Sequence, residues 1–232
     1  MKQVIAMHGW AGDSRQWSLW SRRFEQLGWL WCSGERGYGS PSAVTPEWIA
    51  TAQRRLVICH SLGFHLLPAS ILAVASDLVL LGGFAAFVPQ GPPGRRQRTA
   101  LQGMARMLGT DQEAEMLRRF LERAAAPLPL SALPPNPLLK AVSETGRRRL
   151  EADLNVLASL NGLPQGCPEQ ANGLVVQGAQ DQVVTADAHG LLVQLLSDQL
   201  ETRPSVVIEA DCGHALITAD VLQRVLRWLD QR

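Results

Sequence analysis

Six short runs of Val, Ile and Leu punctuate this chain: QVIAM (3–7), WLWC (29–32), RLVIC (55–59), DLVLLGG (77–83), GLVVQG (173–178) and SVVIEA (205–210). Each is apolar at nearly every position, and that is the pattern of a strand covered on both faces. Stretches with helical character lie between most of them. Residues 14–27 place Trp17, Trp20, Phe24 and Leu27 three and four apart, and residues 62–75 are apolar almost all round. Residues 185–200 and 218–230 follow the last two runs, the latter with Val221, Leu222, Val225 and Leu229. Strands alternating with helices imply a parallel sheet with helices on both sides, because parallel neighbours are joined by crossovers that pack back onto the sheet.

One region breaks the rhythm. From about Val88 to Gln165 no run reads as a strand. The segment opens with PQGPPG (89–94) and has helical stretches near 97–108, 111–125 and 146–160. It also holds the proline-rich APLPLSALPPNP (126–137). The expected organisation is therefore a core made of residues 1–87 and 166–232, with residues 88–165 inserted as a helical cap or lid. The proline tract reads as a kinked connection between helices, with a ligand for a proline-binding module as the alternative.

The chain has 232 residues, 46% hydrophobic and 19% charged, enough for one substantial core and too apolar for disorder. A net charge of +1 argues against general nucleic-acid binding. No stretch approaches the roughly 20 uninterrupted apolar residues that cross a bilayer. MKQVIAMHGW is too short and too quickly polar for a signal peptide. Cys32, Cys59, Cys167 and Cys212 are far apart without a CxxC pair, so they read as reduced thiols in a cytoplasmic protein. No His, Cys, Asp or Glu cluster has metal-ligand spacing and no phosphate-cradling glycine motif follows a strand, so neither metal nor cofactor is expected.

Chemistry concentrates where three of the apolar runs end. RLVIC leads into His60-Ser61-Leu62-Gly63 and then an apolar, helix-like stretch. A serine on a sharp strand-to-helix turn needs small flanking residues; Gly63 meets that need fully and Cys59, on the other side, approximately. A serine hydroxyl is a weak nucleophile at neutral pH and needs a base within reach and an acid to orient that base. GLVVQG leads to Asp181 and SVVIEA leads to His214, just ahead of the final helix. Asp211 is the rival acid, but it lies only three residues before His214, an awkward reach for orienting that ring. Negative charge developing on an attacked carbonyl needs fixed donors. The Leu62 N–H would supply one and the Trp10 N–H, in the loop His8-Gly9-Trp10-Ala11-Gly12 after the first run, the other.

Taken together, HGWAGDSRQW, SGERGYGSP, ICHSLG, GAQDQVV and CGHA resemble the α/β-hydrolase superfamily over nearly the whole chain outside the insertion. The resemblance implies an α/β-hydrolase fold, a mostly parallel central sheet of about six strands with an inserted helical lid. Within the superfamily the chain is most similar to the pimeloyl-ACP methyl ester carboxylesterases of biotin synthesis (BioH type, or a compact variant). HGW followed by Trp17 and the segment RRRLEADLNVLASLN (147–161) carry that likeness. It implies a Ser61–Asp181–His214 triad, oxyanion donors at Trp10 and Leu62, and Trp10 and Phe84 against the substrate. It also implies an acidic acyl carrier protein as partner, docked by lid arginines. The candidates are Arg118, Arg119, Arg123, Arg147, Arg148 and Arg149. The insertion carries eleven Lys and Arg against seven Asp and Glu, a net +4 that leaves −3 on the rest of the chain. Such a patch would steer an acidic partner. Two departures stand out. Cys59 replaces the usual first glycine of the elbow, and the chain starts at the strand before HGW, without the superfamily's first two strands.

Other readings remain open. The same triad serves a general short-chain carboxylesterase or thioesterase, and the fold can also bind a ligand without catalysis. His60 sits beside the nucleophile but is expected to point elsewhere on the sharp turn, His65 and His189 read as helix-packing residues, and His8 as a brace for the oxyanion loop. The lid arginines could be no more than solvated helix faces. A monomer is expected.

Overall fold

The computed structural model describes all 232 residues. Six strands form one sheet: β1 (Lys2–Met7), β2 (Trp29–Ser33), β3 (Arg54–His60), β4 (Asp77–Leu81), β5 (Asn172–Gly178) and β6 (Ser205–Glu209). Their order across the sheet is β2-β1-β3-β4-β5-β6, and every neighbouring pair is parallel. All six apolar runs are strands, and the sheet is wholly parallel.

Alternation along the strands sorts the core into two halves. Val4, Ala6, Leu56, Ile58, Val79, Leu81, Leu174 and Val176 face one side, with Trp20 and Phe24 of α1 (Ser18–Gln26) and Val221, Leu222 and Val225 of α8 (Ala219–Asp230). Ile5, Met7, Val57, Cys59, Leu78, Leu80 and Val175 face the other, where Leu192 and Leu196 of α7 (Ala186–Gln199) cover them. Adjacent residues of a strand point to opposite faces, so a continuous apolar run is what a sheet covered on both sides requires. The rule fails at β6. Val206 and Ile208 are exposed while Ser205, Val207 and Glu209 are half-buried, because β6 is an edge strand covered on one side only.

Two helical segments differ from the sequence expectation. Residues 62–75 form no single helix but two short ones, α2 (Gly63–Leu66) and α3 (Ala69–Leu72). Pro68 is the cause: it has no N–H to donate, and it holds the preceding Leu67 in an extended conformation (φ −78°, ψ 140°). Residues 14–27 divide into a 3₁₀ turn (Ser14–Trp17), whose Arg15 amide Asp13 caps, and α1; Leu27 falls past the end of α1 and is exposed.

The strandless segment between β4 and β5 carries α4 (Gly91–Met107), α5 (Glu113–Ala125) and α6 (Glu144–Ser159). The helix expected near 97–108 begins earlier: Pro92 and Pro93 fall in its first turn, where a missing N–H costs no hydrogen bond. Leu101, Met116, Leu117, Leu150, Leu154 and Leu157 of these helices form a third cluster with Trp10, Tyr38, Leu62 and Phe84 from the core. One ionic tie crosses between the parts. The Arg36 guanidinium donates to both oxygens of Asp153 on α6 (2.7 and 2.6 Å), and the Tyr38 hydroxyl donates to Oδ2 of the same carboxylate (2.5 Å). No helix is long and apolar enough to cross a membrane.

Candidate active site

Ser61 follows β3 directly and sits in the left-handed region at φ 54°, one of two non-glycine residues with positive φ. Its amide donates to Leu81 O (2.9 Å) at the end of β4, which ties the turn to the sheet. Such strain persists only where surrounding contacts over-determine it, and it lifts a side chain clear of the strand end. Packing around the turn explains its glycines. A Cβ on Gly63 would collide with the Met7 carbonyl oxygen, and one on Gly9 would stand 2.8 Å from Ser61 Cβ. Cys59 is tolerated because its side chain turns into the core cluster with Met7 and Leu80 instead of toward the turn. Burial alone pushes its thiol well above the usual range, so it is inert.

The candidate acid and base lie in the loops after β5 and β6. His214 Nδ1 donates to Asp181 Oδ2 (2.8 Å), which leaves its Nε2 without a partner in the chain. Asp181 Oδ1 accepts from the amides of Val183 (2.7 Å) and Val184 (2.9 Å). Burial opposes ionisation of Asp181, but the nearby His189, the hydrogen bond from His214 and the Val184 amide outweigh it and hold the carboxyl far below its usual range. Asp211, the rival acid, makes no bond to His214, although both border the same cavity. Ser61 Oγ and His214 share that cavity without a hydrogen bond between them, a spacing common in free enzymes before substrate draws the pair together.

The backbone N–H groups of Trp10 and Leu62 donate to no group of the chain. Next to them, Ala11 is the second non-glycine residue with positive φ (56°), and the Asn136 amide holds its carbonyl (2.8 Å). His8 braces this loop: its Nδ1 lies 2.9 Å from Gly9 O, while its Nε2 meets the Arg36 amide (3.0 Å) and Glu35 (3.3 Å). Both of its nitrogens are engaged, so none is left for a substrate proton.

Two histidines given no catalytic part by the sequence touch this apparatus: His60, expected to point elsewhere, and His189, expected to pack. His60 Nε2 donates to the carbonyl of His214 (2.9 Å), and the two rings lie 4.9 Å apart. His189 Nδ1 donates to Gly83 O (2.9 Å), and its Nε2 lies 3.4 Å from Asp181 Oδ2. No pattern in the sequence points to His189, since the contact depends on how α7 returns across the strand ends. His65 is a packing residue, bonded to Phe84 O (2.7 Å).

Two cavities meet at Ser61. The first, about 530 Å³, is bordered by His60 and His214 and walled by the proline tract, including Pro127, Leu130, Leu133 and Pro134. That tract is thus a connection between α5 and α6 that also lines the site. The second, about 950 Å³, lies among α4, α5 and α6. Trp10, Ser61 and Phe120 alone border both. Phe84 lines neither: it is fully buried, packed on His65 and Phe87, because the chain turns inward after β4.

The six arginines expected to dock a partner have partners of their own. Arg147 grips Glu113 (2.6 and 2.9 Å), Arg149 donates to Gly37 O (2.8 Å) and Arg123 to Gln182 O (2.8 Å). Arg118 (3.8 Å) and Arg119 (2.8 Å) share Glu115, and Arg148 pairs with Glu144. Of the six, Arg119 and Arg123 border the second cavity, together with Arg96, which makes no ion pair or hydrogen bond.

Two outcomes follow. Gly9→Ala is expected to displace Ser61 and lower kcat/KM on p-nitrophenyl butyrate by about 10²-fold, with a smaller change in melting temperature; unchanged kinetics would mean that the approach is not needed. Acid stability is expected to decline in two stages. Burial and the neighbouring His214 bring His60 down from 6.5 to about 3, so the unfolded chain takes up its proton first. The stability His60 contributes is complete above 6.5 and is lost as pH falls toward 3. Burial raises Glu35, but His8 and the amides of Ser14 and Gly37 outweigh it and set about 2, so a second loss runs from 4.5 toward 2. Urea unfolding of the wild type and His60→Gln across this range checks the order: the first stage should shrink in the variant, to the part left by His65, which burial also lowers, and the second should stay.

No protein-family model and no curated protein sequence matches the chain. Solved structures do match it in shape. An esterase from Exiguobacterium antarcticum superposes with TM-score 0.73 at 14% identity, over 99% of this chain and 92% of that one. A hydrolase from Oleispira antarctica gives 0.70 at 12% identity, over 100% and 92%. MenH from S. aureus gives 0.59 at 14% identity, over 99% and 94%. The chain has the α/β-hydrolase fold.

Proposed function

We propose that this protein is a serine hydrolase of carboxylic esters, with Ser61 as nucleophile, His214 as general base and Asp181 as the group that orients it. The observation that carries the reading is the meeting of four features at one point. Ser61 is strained on its turn, His214 is held by Asp181, His214 borders the same cavity as the serine, and two backbone amides beside the serine are unused. Ser61 adds to the ester carbonyl as His214 Nε2 takes its proton, and the Trp10 and Leu62 amides receive the developing oxyanion. His214 then passes the proton to the departing alcohol, and water repeats the sequence on the acyl-enzyme. The helices between β4 and β5 act as a cap that keeps bulk water from the reaction. Structures of the same shape described as an esterase and a hydrolase agree with this chemistry. The test is labelling of the folded protein with a fluorophosphonate, together with turnover of p-nitrophenyl butyrate. Absence of both would reject the reading.

A narrower reading is cleavage of pimeloyl-ACP methyl ester to pimeloyl-ACP and methanol. Its support is the second cavity, where Met104, Met107, Leu154 and Leu157 offer apolar walls for an acyl chain and Arg96, Arg119 and Arg123 stand at the border together with Asp111 and Glu115. Against it stand the internal partners of the lid arginines and a first cavity far larger than methanol fills. Competition between free and carrier-linked pimeloyl methyl ester decides it: equal kcat/KM would leave the general esterase, which the geometry favours.

A further inference from the structure

We infer that the substrate is an ester with two substantial arms, in which the alcohol occupies the cavity beside His214 and the acyl chain occupies the cavity among α4, α5 and α6. The inference rests on the ester-hydrolase reading above and assigns its two subsites.

Direction follows from proton transfer. In the tetrahedral intermediate the leaving oxygen must take its proton from His214 Nε2, so the alcohol lies on the imidazole side of the reacting carbon. His214 borders the 530 Å³ cavity and does not border the 950 Å³ one. The acyl arm, on the opposite side of the carbonyl, is left with the larger space.

A rigid divider keeps the arms apart. The Trp10 indole N–H donates to Leu150 O (2.9 Å), and the ring meets Phe120 edge to face with centroids 4.8 Å apart. Both rings border both cavities, with Ser61 beside them. A substrate bound at the serine therefore straddles the divider, one arm on each side.

Size and lining set the chemistry. At roughly 30 Å³ per water-sized group, methanol would occupy only about a tenth of the alcohol cavity. Pro127, Pro134 and Pro135 make part of its wall, and proline has little freedom to adapt its backbone. Gln16 also lines it, with a buried Nε2 that has no acceptor in the chain, a donor for an oxygen on the alcohol arm. The acyl cavity has Met104, Met107 and Met116 with Leu101, Leu154 and Leu157, and flexible thioethers repack around chains of different shape. The site is thus selective for a bulky, mostly apolar alcohol and tolerant of the acid.

The experiment measures kcat/KM over a matrix of methyl, butyl and benzyl esters of acetic, butyric and octanoic acids, on wild type and on two wall variants. In the wild type, benzyl octanoate should exceed methyl octanoate by about tenfold or more. Leu133→Trp, in the alcohol cavity, should cut the benzyl-to-methyl ratio about tenfold and leave the octanoate-to-acetate ratio within about twofold. Gly103→Phe, at a position where an added Cβ meets nothing within 4 Å, should do the reverse. Ala132→Trp replaces Leu133→Trp if that variant does not fold. Methyl esters cleaved as fast as benzyl esters, or variants that alter the other arm's ratio, would overturn the assignment. Fluorophosphonate labelling of the wild type separates the two failures: a labelled enzyme with the wrong preferences refutes the subsites alone, and an unlabelled one refutes the hydrolase itself.

Discussion

Ser61→Ala is expected to lower kcat on p-nitrophenyl butyrate by about 10⁶-fold and to abolish fluorophosphonate labelling. The size of the loss follows from how little else can attack a carbonyl at this point. Both nitrogens of His8 are bonded within the chain, Cys59 is buried, and the Asp181 oxygens are taken up by His214 and the amides of Val183 and Val184. What survives is catalysis by bound water, aided by the Trp10 and Leu62 amides. Asp181→Asn should cost about 10⁴-fold in kcat, because an amide in place of the carboxylate no longer holds the proton on His214 Nδ1. Alanine also relieves no strain at residue 61, so the melting temperature should hardly move. A variant that keeps more than a hundredth of the activity, on the order of 10⁻², would show that Ser61 is not the nucleophile.

Asp153→Ala is expected to give a large loss of stability for a single polar change away from the reacting groups, about 3 kcal/mol. Asp153 is fully buried and receives two hydrogen bonds from Arg36 and one from Tyr38, itself fully buried. Removing the carboxylate strands a buried phenol and leaves a guanidinium without its counterion. Arg36 is about one-third exposed and can turn toward water, which keeps the cost below that of a wholly enclosed pair. For a chain of this length the change corresponds to a fall in melting temperature of roughly 6–12 °C. Arg148→Ala removes an exposed pair within one helix and should cost no more than about 0.5 kcal/mol. Thermal and urea unfolding of both variants would check the contrast. A loss below about 1 kcal/mol for Asp153→Ala would mean that α6 is held by its leucines alone.

Much of the site is written locally. The turn at Ser61 needs a strand before it and a helix start after it, and residues 55–66 contain both. The loop after β1 and the order of the candidate nucleophile, acid and base are likewise properties of single strand ends. Pro68 was equally visible, yet the apolar character of its neighbours suggested one continuous helix; backbone chemistry prevailed over hydrophobicity there. The charge excess of the insertion is also a fact of sequence, but its availability to a partner is not. Arg147 and Arg149 are spent on Glu113 and Gly37, residues 34 and 112 positions away.

Sequence by itself determined the alternation of strands and helices, the two-faced burial of the inner strands and the candidates for nucleophile, base and acid. All of these depend on the period of side chains along an element or on the chemistry of one turn. Tertiary structure alone decided that Asp181 and not Asp211 holds His214, that His189 lies against the same carboxylate, and that Phe84 is walled off. It alone divided the space at Ser61 into two cavities. Those outcomes depend on where separate crossovers and the inserted helices bring their ends together in space, and no periodicity along the chain encodes that distance.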